Sequence, residues 1–486
     1  MSTIRSIGFV IALGFVLAGC AASGTTPAAS RGTPEAAYAT LSDANASIQK
    51  RTGAIATLLS AAQTGATSPD AARAALKRIA WSWHQGTPPL VRIAAIDALL
   101  SDEANLDDTH NMLKLMTPTE QQREVLEHVC MIASERHWRD MTPAIVRSWS
   151  RSVPGWEDMA RPEAKALTAL WPDQDHDAVL FDVFTGAEGA EEKARSAAWA
   201  LLTRLDKDGV RTRELVQHRA PELEASGDVL ATAIGRAWRE LHVVPLTPEQ
   251  LEWTRRLFEA EHDADRRAYV AAMEGLSDEQ VAGLALRHGP LLAWAQAQHP
   301  DWLESSRDAL VEQVLQGLGR TRAYGPGARS AAQDLAEASW LDVLTAAAAV
   351  HATHDPDVVY DLFQQADADQ IDRSTEHGGV IEPTSDGAWR AVSFPPRPTE
   401  RFGDRQFVAS DDMIKRGDTA LFHYHFHVQD HSNRNYAVPS GGDYETAQRL
   451  GRASLVFTFI DRDHLNVDLY FPSGKLIDLG AIERPQ

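Results

Sequence analysis

The sequence predicts a multidomain protein in which a long all-α region precedes a smaller α+β domain. Apolar residues recur at three- and four-residue spacing over about residues 41–316, which is the periodicity of amphipathic helices. Glycines interrupt this pattern at residues 317–327, and six short runs rich in β-branched and aromatic residues follow. At 486 residues the chain is also long enough for two or more domains.

The composition and net charge of the chain argue against two classes of partner, nucleic acids and anionic lipid surfaces. A hydrophobic content of 44% and a charged content of 24% are ordinary for a globular protein. The formal net charge is -21, and no polybasic run occurs. Because the phosphates of nucleic acids and of anionic lipids attract clustered Lys and Arg, we expect no nucleic-acid partner and no electrostatic membrane binding.

Residues 1–19 are predicted to be an export signal. Arg5 precedes an apolar run from Ile7 to Val16, which is too short to span a bilayer. The tetrapeptide ending at Cys20 (Leu-Ala-Gly-Cys) resembles the bacterial lipobox, which implies cleavage before Cys20 and a lipid anchor on that residue. Ala21 at the next position implies the outer membrane, facing the periplasm of the bacterial cell envelope. The alternative is an ordinary export signal followed by a chance cysteine.

Residues 20–40 are mostly Ala, Ser, Gly, Thr and Pro, which predicts a flexible tether between the lipid and the folded body. Cys130 is the only other cysteine of the chain, so no intramolecular disulfide is possible once Cys20 is lipidated. An exported protein with no oxidisable thiolate ligands is consistent with a metal site built from His and carboxylate groups.

Four segments of the helical region share one pattern, an arginine followed by apolar residues at helical spacing. The arginines are Arg92, Arg161, Arg195 and Arg267, and the intervals between them are 69, 34 and 72 residues, close to multiples of about 35. These segments resemble the second helices of HEAT-type hairpins. The resemblance implies a solenoid over 41–316 with a long surface that holds another macromolecule. The alternative is a non-repetitive helical domain in which Ala and Arg are common.

Residues 330–486 are predicted to form the α+β domain. Helices are expected at 330–350 and 355–366. The expected strands are 380–381, 389–394, 419–426, 455–460, 465–471 and 476–479, separated by turn clusters. A further helix is expected at 443–450.

Three histidines alternate along one of these strands. His423, His425 and His427 project from the same face, because a strand directs every second side chain to one side. Ser440 and Asp443 follow shortly afterwards. Imidazoles joined by a carboxylate form a first-row metal site in outline, and this cluster is the most informative feature for function.

A glutamate upstream, Glu376, opens a short strand through two glycines, which permit a close approach of backbone or substrate. The order Glu376, His425-x-His427, Ser440-x-x-Asp443 resembles the JAB/MPN family of zinc metalloproteases, over about residues 350–486. The resemblance implies that His425, His427 and Asp443 bind Zn²⁺. It also implies that Glu376 is the general base and acid, and that Ser440 stabilises the oxyanion.

These roles are chemically consistent with the residue types. Two imidazoles and one carboxylate leave a position on zinc for water, and zinc lowers the pKa of that water towards about 7. A glutamate can accept the proton and pass it to the leaving amine, and a hydroxyl can donate a hydrogen bond to the developing oxyanion. The predicted function is therefore an envelope-anchored zinc peptidase or isopeptidase, whose helical repeats present a protein or peptide substrate.

The sequence departs from the family pattern in three places. Val428 replaces the proline that usually follows the second histidine, and the loop between His427 and Ser440 is longer than usual. His423 with His425 is an alternative ligand pair, and otherwise His423 is a partner of the ligands or a core residue. Taken alone, Ser440-x-x-Asp443 is typical of a helix capping box.

Two other functions stay open. One is a non-catalytic scaffold lipoprotein with a vestigial JAB-like domain. The other is a cupin-like metal protein, because Gly417 precedes His423-Tyr424-His425 with the spacing at which the cupin motif opens. No glutamate follows at the position the cupin motif requires, and its second motif is missing.

Overall fold

The computed structural model describes residues 32–82, 86–207, 209–318, 330–384 and 386–486, without the side chain of Glu188. The predicted signal peptide, Cys20 and most of the predicted tether lie outside the described residues. So does most of the glycine-rich break. Within the described part of the tether, a helix begins at Pro34.

The described residues form 23 α-helices and six β-strands. The helices are α1 Pro34–Ser42, α2 Ile48–Gln63, α3 Pro69–Trp81, α4 Pro89–Leu100, α5 Leu106–Met116, α6 Arg123–Glu135, α7 Thr142–Ser150, α8 Pro162–Leu170, α9 His176–Phe184, α10 Glu192–Leu205, α11 Val210–Ala225, α12 Val229–Leu241, α13 Pro248–Leu257, α14 Asp263–Met273, α15 Asp278–Val281, α16 His288–Gln298, α17 Pro300–Glu304, α18 Arg307–Gly317, α19 Ala331–Ala336, α20 Trp340–Thr353, α21 Pro356–Ile371, α22 Asp411–Arg416 and α23 Gly441–Leu450. The strands are β1 Gly378–Pro383, β2 Trp389–Ser393, β3 Phe422–His427, β4 Ser454–Asp461, β5 His464–Tyr470 and β6 Leu476–Glu483.

The chain divides into two compact units, Met1–Met112 and Leu113–Gln486. The described part of the first unit is entirely helical, and its core contains Leu58, Val91 and Ile96, none of which is exposed by more than a trace. The second unit contains the remaining helices and the sheet. The mostly helical chain with a C-terminal mixed sheet agrees with the predicted class, a helical region plus an α+β region.

Arginines of the repeated pattern bind the carboxyl ends of preceding helices. Arg92 at the start of α4 donates from Nε to the carbonyl of Ala80 in α3 at 2.8 Å, and Arg195 in α10 donates to the carbonyl of Phe184 in α9 at 2.7 Å. The last carbonyls of a helix lack intrahelical partners, and the helix dipole favours a cation there. The recurring arginine therefore marks the place where one helix begins against the end of the previous one.

Of the other two arginines of the pattern, Arg161 binds in the same way and Arg267 does not. Arg161 caps the end of α7 through the carbonyl of Ser148, at 2.9 Å from its Nη2. Arg267 is exposed, and its neighbour Arg266 donates to the carbonyl of Leu257 at the end of α13, at 3.4 Å. The pattern thus has a physical basis in helix capping, while the HEAT-like solenoid stays a prediction.

The C-terminal sheet has the strand order β2-β1-β3-β4-β5-β6. Neighbouring strands are antiparallel except β3 and β4, which are parallel. Parallel strands need a crossover connection, and here the segment that joins β3 to β4 contains α23. Each of the six runs predicted as strands overlaps a strand of this sheet.

Both faces of the central strand β3 are buried. Phe422, Tyr424 and Phe426 belong to one large core that also includes buried residues of α12–α14, α16–α18 and α19–α21. The three histidines occupy the opposite face, where α23 contributes Ala447 to a small core with residues of β4 and β5. The histidines therefore lie beside α23, out of bulk solvent. Within the described residues, no helix combines the length and apolarity needed to cross a bilayer.

Candidate metal centre

Two glycines bring β1 unusually close to its neighbours. Gly378 lies opposite His425 in the antiparallel pairing of β1 with β3. A Cβ on Gly378 would lie 2.4 Å from the carbonyl oxygen of Tyr424, and a Cβ on Gly379 would lie 2.0 Å from that of Val392. Any other residue would collide with backbone, so these positions require glycine.

The same pairing places Glu376 beside the histidines. The amide of Phe426 donates to the carbonyl of His377 at 3.1 Å, which continues the ladder beyond the end of β1. In this register Glu376 comes next to His427, at the carboxyl end of β3. The glutamate is 5% exposed, so the fold holds an acidic group in a largely desolvated position.

Glu376, His425 and His427 form a buried cluster. Each offers one ligand atom, and these atoms all lie within 4.8 Å of one another. The Nε2 atoms of the two histidines are 3.2 Å apart. This buried Glu/His/His group can hold a metal ion.

Asp443 completes the cluster from the first turn of α23. Its Oδ1 is 3.3 Å from Nε2 of His425, and its Oδ2 is 3.9 Å from Nε2 of His427. Tetrahedral zinc with bonds of about 2.0–2.1 Å to N and O places its ligand atoms about 3.4 Å apart. The spacing of the two imidazoles and the carboxylate therefore fits a zinc-sized ion.

The Ser440-x-x-Asp443 segment is also a capping box. The Ser440 amide donates to Oδ2 of Asp443 at 2.6 Å, and the Asp443 amide donates to Oγ of Ser440 at 3.4 Å. The carboxylate of Asp443 therefore begins α23 and faces the histidines at the same time. The structural and the functional interpretations of this motif are compatible.

A backbone carbonyl fixes the tautomer of His427. Its Nδ1 lies 2.7 Å from the carbonyl oxygen of Tyr436, and a carbonyl oxygen only accepts hydrogen bonds. Nδ1 of the neutral ring must carry the proton, which leaves the lone pair on Nε2 pointing into the cluster. This arrangement is typical of metal-binding histidines.

Two amides of the long loop hold the cluster in place, and the sequence did not reveal them. Gln429 donates from Nε2 to Oε1 of Glu376 and to the carbonyl of Asp404, both at 2.8 Å. Asn433 donates from Nδ2 to Oε1 of Gln429 at 2.5 Å and to the carbonyl of His427 at 2.9 Å. The only sequence signal for them was the unusual length of the loop.

Burial tunes the acid and the bases of the cluster. Burial, with a contribution from the charge of Asp443, raises the pKa of Glu376 to about 7, although His425 acts in the opposite direction. A carboxyl group that titrates near neutrality suits a general base. Burial, with the charge of neighbouring His425, lowers the pKa of His427 to about 4, so this imidazole is neutral at neutral pH.

His425 and Asp443 act as an ion pair. Burial lowers the pKa of His425, but the hydrogen bond and charge of Asp443, together with the charge of Glu376, outweigh it and the net pKa is raised. Burial also raises the pKa of Asp443, but the hydrogen bond and charge of His425, together with the hydrogen bonds of Ser440, outweigh it and hold that pKa well below its usual range. Metal binding at this pair would displace the proton of His425, because a ligand imidazole must be neutral.

His423 stays outside the cluster. A Cβ on Gly417 would lie 2.1 Å from both Nε2 of His423 and Nη1 of Arg452, so these groups are crowded against that glycine. Burial, with the charge of Arg452, lowers the pKa of His423 well below its ordinary value. Because a metal would have to approach beside a guanidinium, the structure favours the pair His425 and His427 over His423 and His425.

The environment of Gly417 also bears on the cupin alternative. Cupins are jelly rolls of two packed sheets, whereas the described strands form one mixed sheet. Gly417 ends α22, and its lack of a side chain is explained by the crowding of His423 and Arg452. The presence of a glycine six residues before His423 is therefore accounted for by packing, without a cupin motif.

The cluster opens into a cleft of about 470 Å³. The lining residues include Glu376, His427, Gln429, Ser440 and Asp443, together with the segment 405–408. A cleft of this size is typical of small-molecule and peptide sites. A substrate in it would contact the glutamate, one histidine and the exposed serine.

Comparison with known proteins gave no match to any protein family, to any curated protein or to any solved structure. The JAB/MPN resemblance therefore depends on the motif residues alone. The structure itself shows a mainly helical chain with a C-terminal mixed sheet, and a buried Glu/His/His group that can bind a metal ion.

Proposed function

We propose that the protein is a zinc-dependent peptidase or isopeptidase of the bacterial cell envelope, with a JAB/MPN-like catalytic domain. The observation that carries the proposal is the convergence of Glu376, His425, His427 and Asp443, of which all but His425 line the larger cleft. These residues come from β3, the approach to β1 and the start of α23, so three separate segments supply the groups that amide hydrolysis needs.

The residues divide the chemistry between them. His425, His427 and Asp443 would hold the ion, and zinc bound there would supply an acidified water and polarise the substrate carbonyl. Glu376, held by Gln429, would accept a proton from the attacking water on a carboxylate oxygen and later deliver it to the leaving amine.

Ser440 is placed for a different task. Its Oγ accepts a hydrogen bond from the Asp443 amide, so its hydroxyl hydrogen can point towards the cleft and donate to the developing oxyanion. The capping box fixes Ser440 at the start of α23, where the serine lines the cleft.

The remaining parts of the proposal concern the rest of the chain. We propose that a lipid on Cys20 anchors the protein at the outer membrane, facing the periplasm, and that HEAT-like repeats present a protein or peptide substrate. Replacement of Cys20 by Ser should release the protein into the soluble fraction. Intact anchoring of that variant would reject the lipid anchor.

Metal content and cleavage test the catalytic proposal. The chain starting at Ala21 should contain about one zinc ion per molecule, and Asp443→Ala should lose it. Glu376→Gln should keep zinc but cleave no peptide in a mixture that the unaltered chain digests. His464→Ala, at a partly exposed position on β5 outside the cluster, is the matched control and should keep both zinc and cleavage.

Each outcome decides between distinct explanations. Loss of zinc in Glu376→Gln would make this residue a ligand rather than the base. Zinc without any cleavage in the unaltered chain would favour the scaffold alternative. Absence of zinc from both the unaltered chain and Asp443→Ala would end the peptidase proposal.

A further inference from the structure

A second, smaller cavity adjoins the metal cluster. It measures about 220 Å³, and both His425 and Asp443 belong to its wall. Phe407 and Thr446 line this cavity and the larger cleft as well. A peptide whose reacting carbonyl lies at the cluster would therefore place a neighbouring side chain at the smaller cavity.

The size of the cavity limits what it can hold. Sites for complete small-molecule ligands usually measure about 300–1,000 Å³, and this cavity is smaller than that range. It has room for one side chain but not for a second substrate. Its position beside the cluster makes it a site for the residue next to the bond that reacts.

Apolar groups form much of one wall. Phe407, Val408, Ala409 and Met413 come from the segment before α22 and from that helix. The Phe407 ring is parallel to the His425 ring, with an interplanar angle of 3° and centroids 6.0 Å apart. This contact holds the Phe407 ring in the cavity wall beside the metal cluster.

The hydroxyl of Tyr470 and the charged groups of the wall have partners, whereas Nε2 of His423 has none and is crowded against Gly417. The hydroxyl of Tyr470 shares a hydrogen bond with Ser454. Among the charged lining residues, Arg449 donates to Glu249 at 3.0 Å, and Asp443 pairs with His425. An apolar occupant leaves none of these partnerships broken, whereas a charged occupant would have to disrupt one of them.

We propose that the cavity is a specificity pocket that accepts one uncharged, mainly apolar side chain of a peptide, adjacent to the bond cleaved. This inference rests on the proposed peptidase function. A well-fitted hydrophobic pocket discriminates by about 10–200-fold for each methylene group. We therefore expect leucine or methionine at this substrate position to be preferred over aspartate or lysine by at least about tenfold in kcat/KM.

Filling the pocket provides the test. Ala409→Phe adds a ring to the wall of the cavity from a half-buried position outside any helix or strand. With a peptide library varied at one position, this variant of the full chain should lose the preference for large apolar residues and still accept glycine or alanine. Ala297→Phe, the same substitution at an exposed position of α16, is the control and should keep the original preference. An unchanged preference in Ala409→Phe would overturn the pocket while leaving the peptidase proposal intact.

A binding measurement separates the pocket from catalysis. The probes are N-acetyl-leucinamide, N-acetyl-lysinamide and N-acetyl-aspartamide, titrated into the full chain and followed by ligand-observed NMR. We expect leucinamide to bind at least about tenfold more tightly than the charged amides, and Ala409→Phe to abolish the difference. If the chain cleaves no peptide but binds leucinamide in this manner, the peptidase proposal fails and the pocket stands. Equal binding of all three amides would overturn the pocket.

Discussion

Asp468 predicts a strong pH dependence of stability. This residue of β5 is 2% exposed, and Asn466 donates from Nδ2 to its Oδ2 at 2.9 Å. Burial, with a contribution from Asp478, raises the pKa of Asp468 from its ordinary value of 3.8 to about 8. In the folded protein the carboxyl is therefore protonated at neutral pH, whereas in the unfolded chain it is ionised.

Proton binding determines whether the free energy of unfolding rises or falls with pH. Between pH 3.8 and about 8 the folded state holds a proton that the unfolded state releases, so the free energy of unfolding falls as pH rises through this window. At 1.36 kcal/mol per pH unit, the loss reaches about 4 kcal/mol by pH 7 and grows until about pH 8. This is a large part of the roughly 5–15 kcal/mol that stabilises a typical domain.

Replacement of Asp468 by Asn removes the ionisable group and keeps its size. The difference in free energy of unfolding between Asp468→Asn and the unaltered chain should be small at about pH 4 and should rise by several kcal/mol towards about pH 8. Urea unfolding across this range measures the difference. Asp463→Asn, at an exposed position of the same hairpin, is the control and should show no such rise. A difference that does not change with pH would refute the reasoning.

Three further predictions concern single contacts. Gln429→Leu removes the donor to Glu376 and should lower kcat by about 10–100-fold with zinc content unchanged, since a hydrogen bond to a charged group contributes about 1.5–3 kcal/mol; loss of zinc would contradict this role. Arg161→Met leaves the fully buried Glu163 without its ion pair and should cost about 3–5 kcal/mol in denaturant unfolding. The double variant with Glu163→Leu should recover most of that loss, and a failure to recover would argue against the pairing. Val438 has a φ of 124°, so Val438→Gly should relieve about 1–3 kcal/mol of strain and raise Tm; a lower Tm would contradict it.

Much of the C-terminal sheet was predictable because its strands carry a clear local signal. Alternation in 422–427, turn residues between the later strands and the glycines after Glu376 each indicate structure from a few neighbouring residues. The order of Glu376, His425, His427 and Asp443 likewise predicted a site before any contact was known. The structure brings these four residues together.

Other features depend on contacts between distant segments. Gln429 and Asn433 lie in a loop without periodicity, so nothing local distinguishes them from solvated amides. His423 is kept out of the cluster by its contact with Arg452, a residue that follows α23 and is distant from His423 in the sequence. Arg266 rather than Arg267 caps α13. The rotation of α14 about its axis decides which of the two arginines points inward, and the pattern of apolar residues did not determine that rotation to within one residue.

The capping box of α23 has a consequence for how the ion and the fold depend on each other. One carboxylate, that of Asp443, satisfies the Ser440 amide and faces both histidines. Any ion that draws this carboxylate inward also acts on the first turn of α23, which packs on β4 and β5 through Ala447. By thermodynamic linkage, the local opening of this helix and the affinity for the ion cannot vary independently. Slower amide exchange at the start of α23 on addition of zinc would make the helix a reporter of occupancy that needs no substrate.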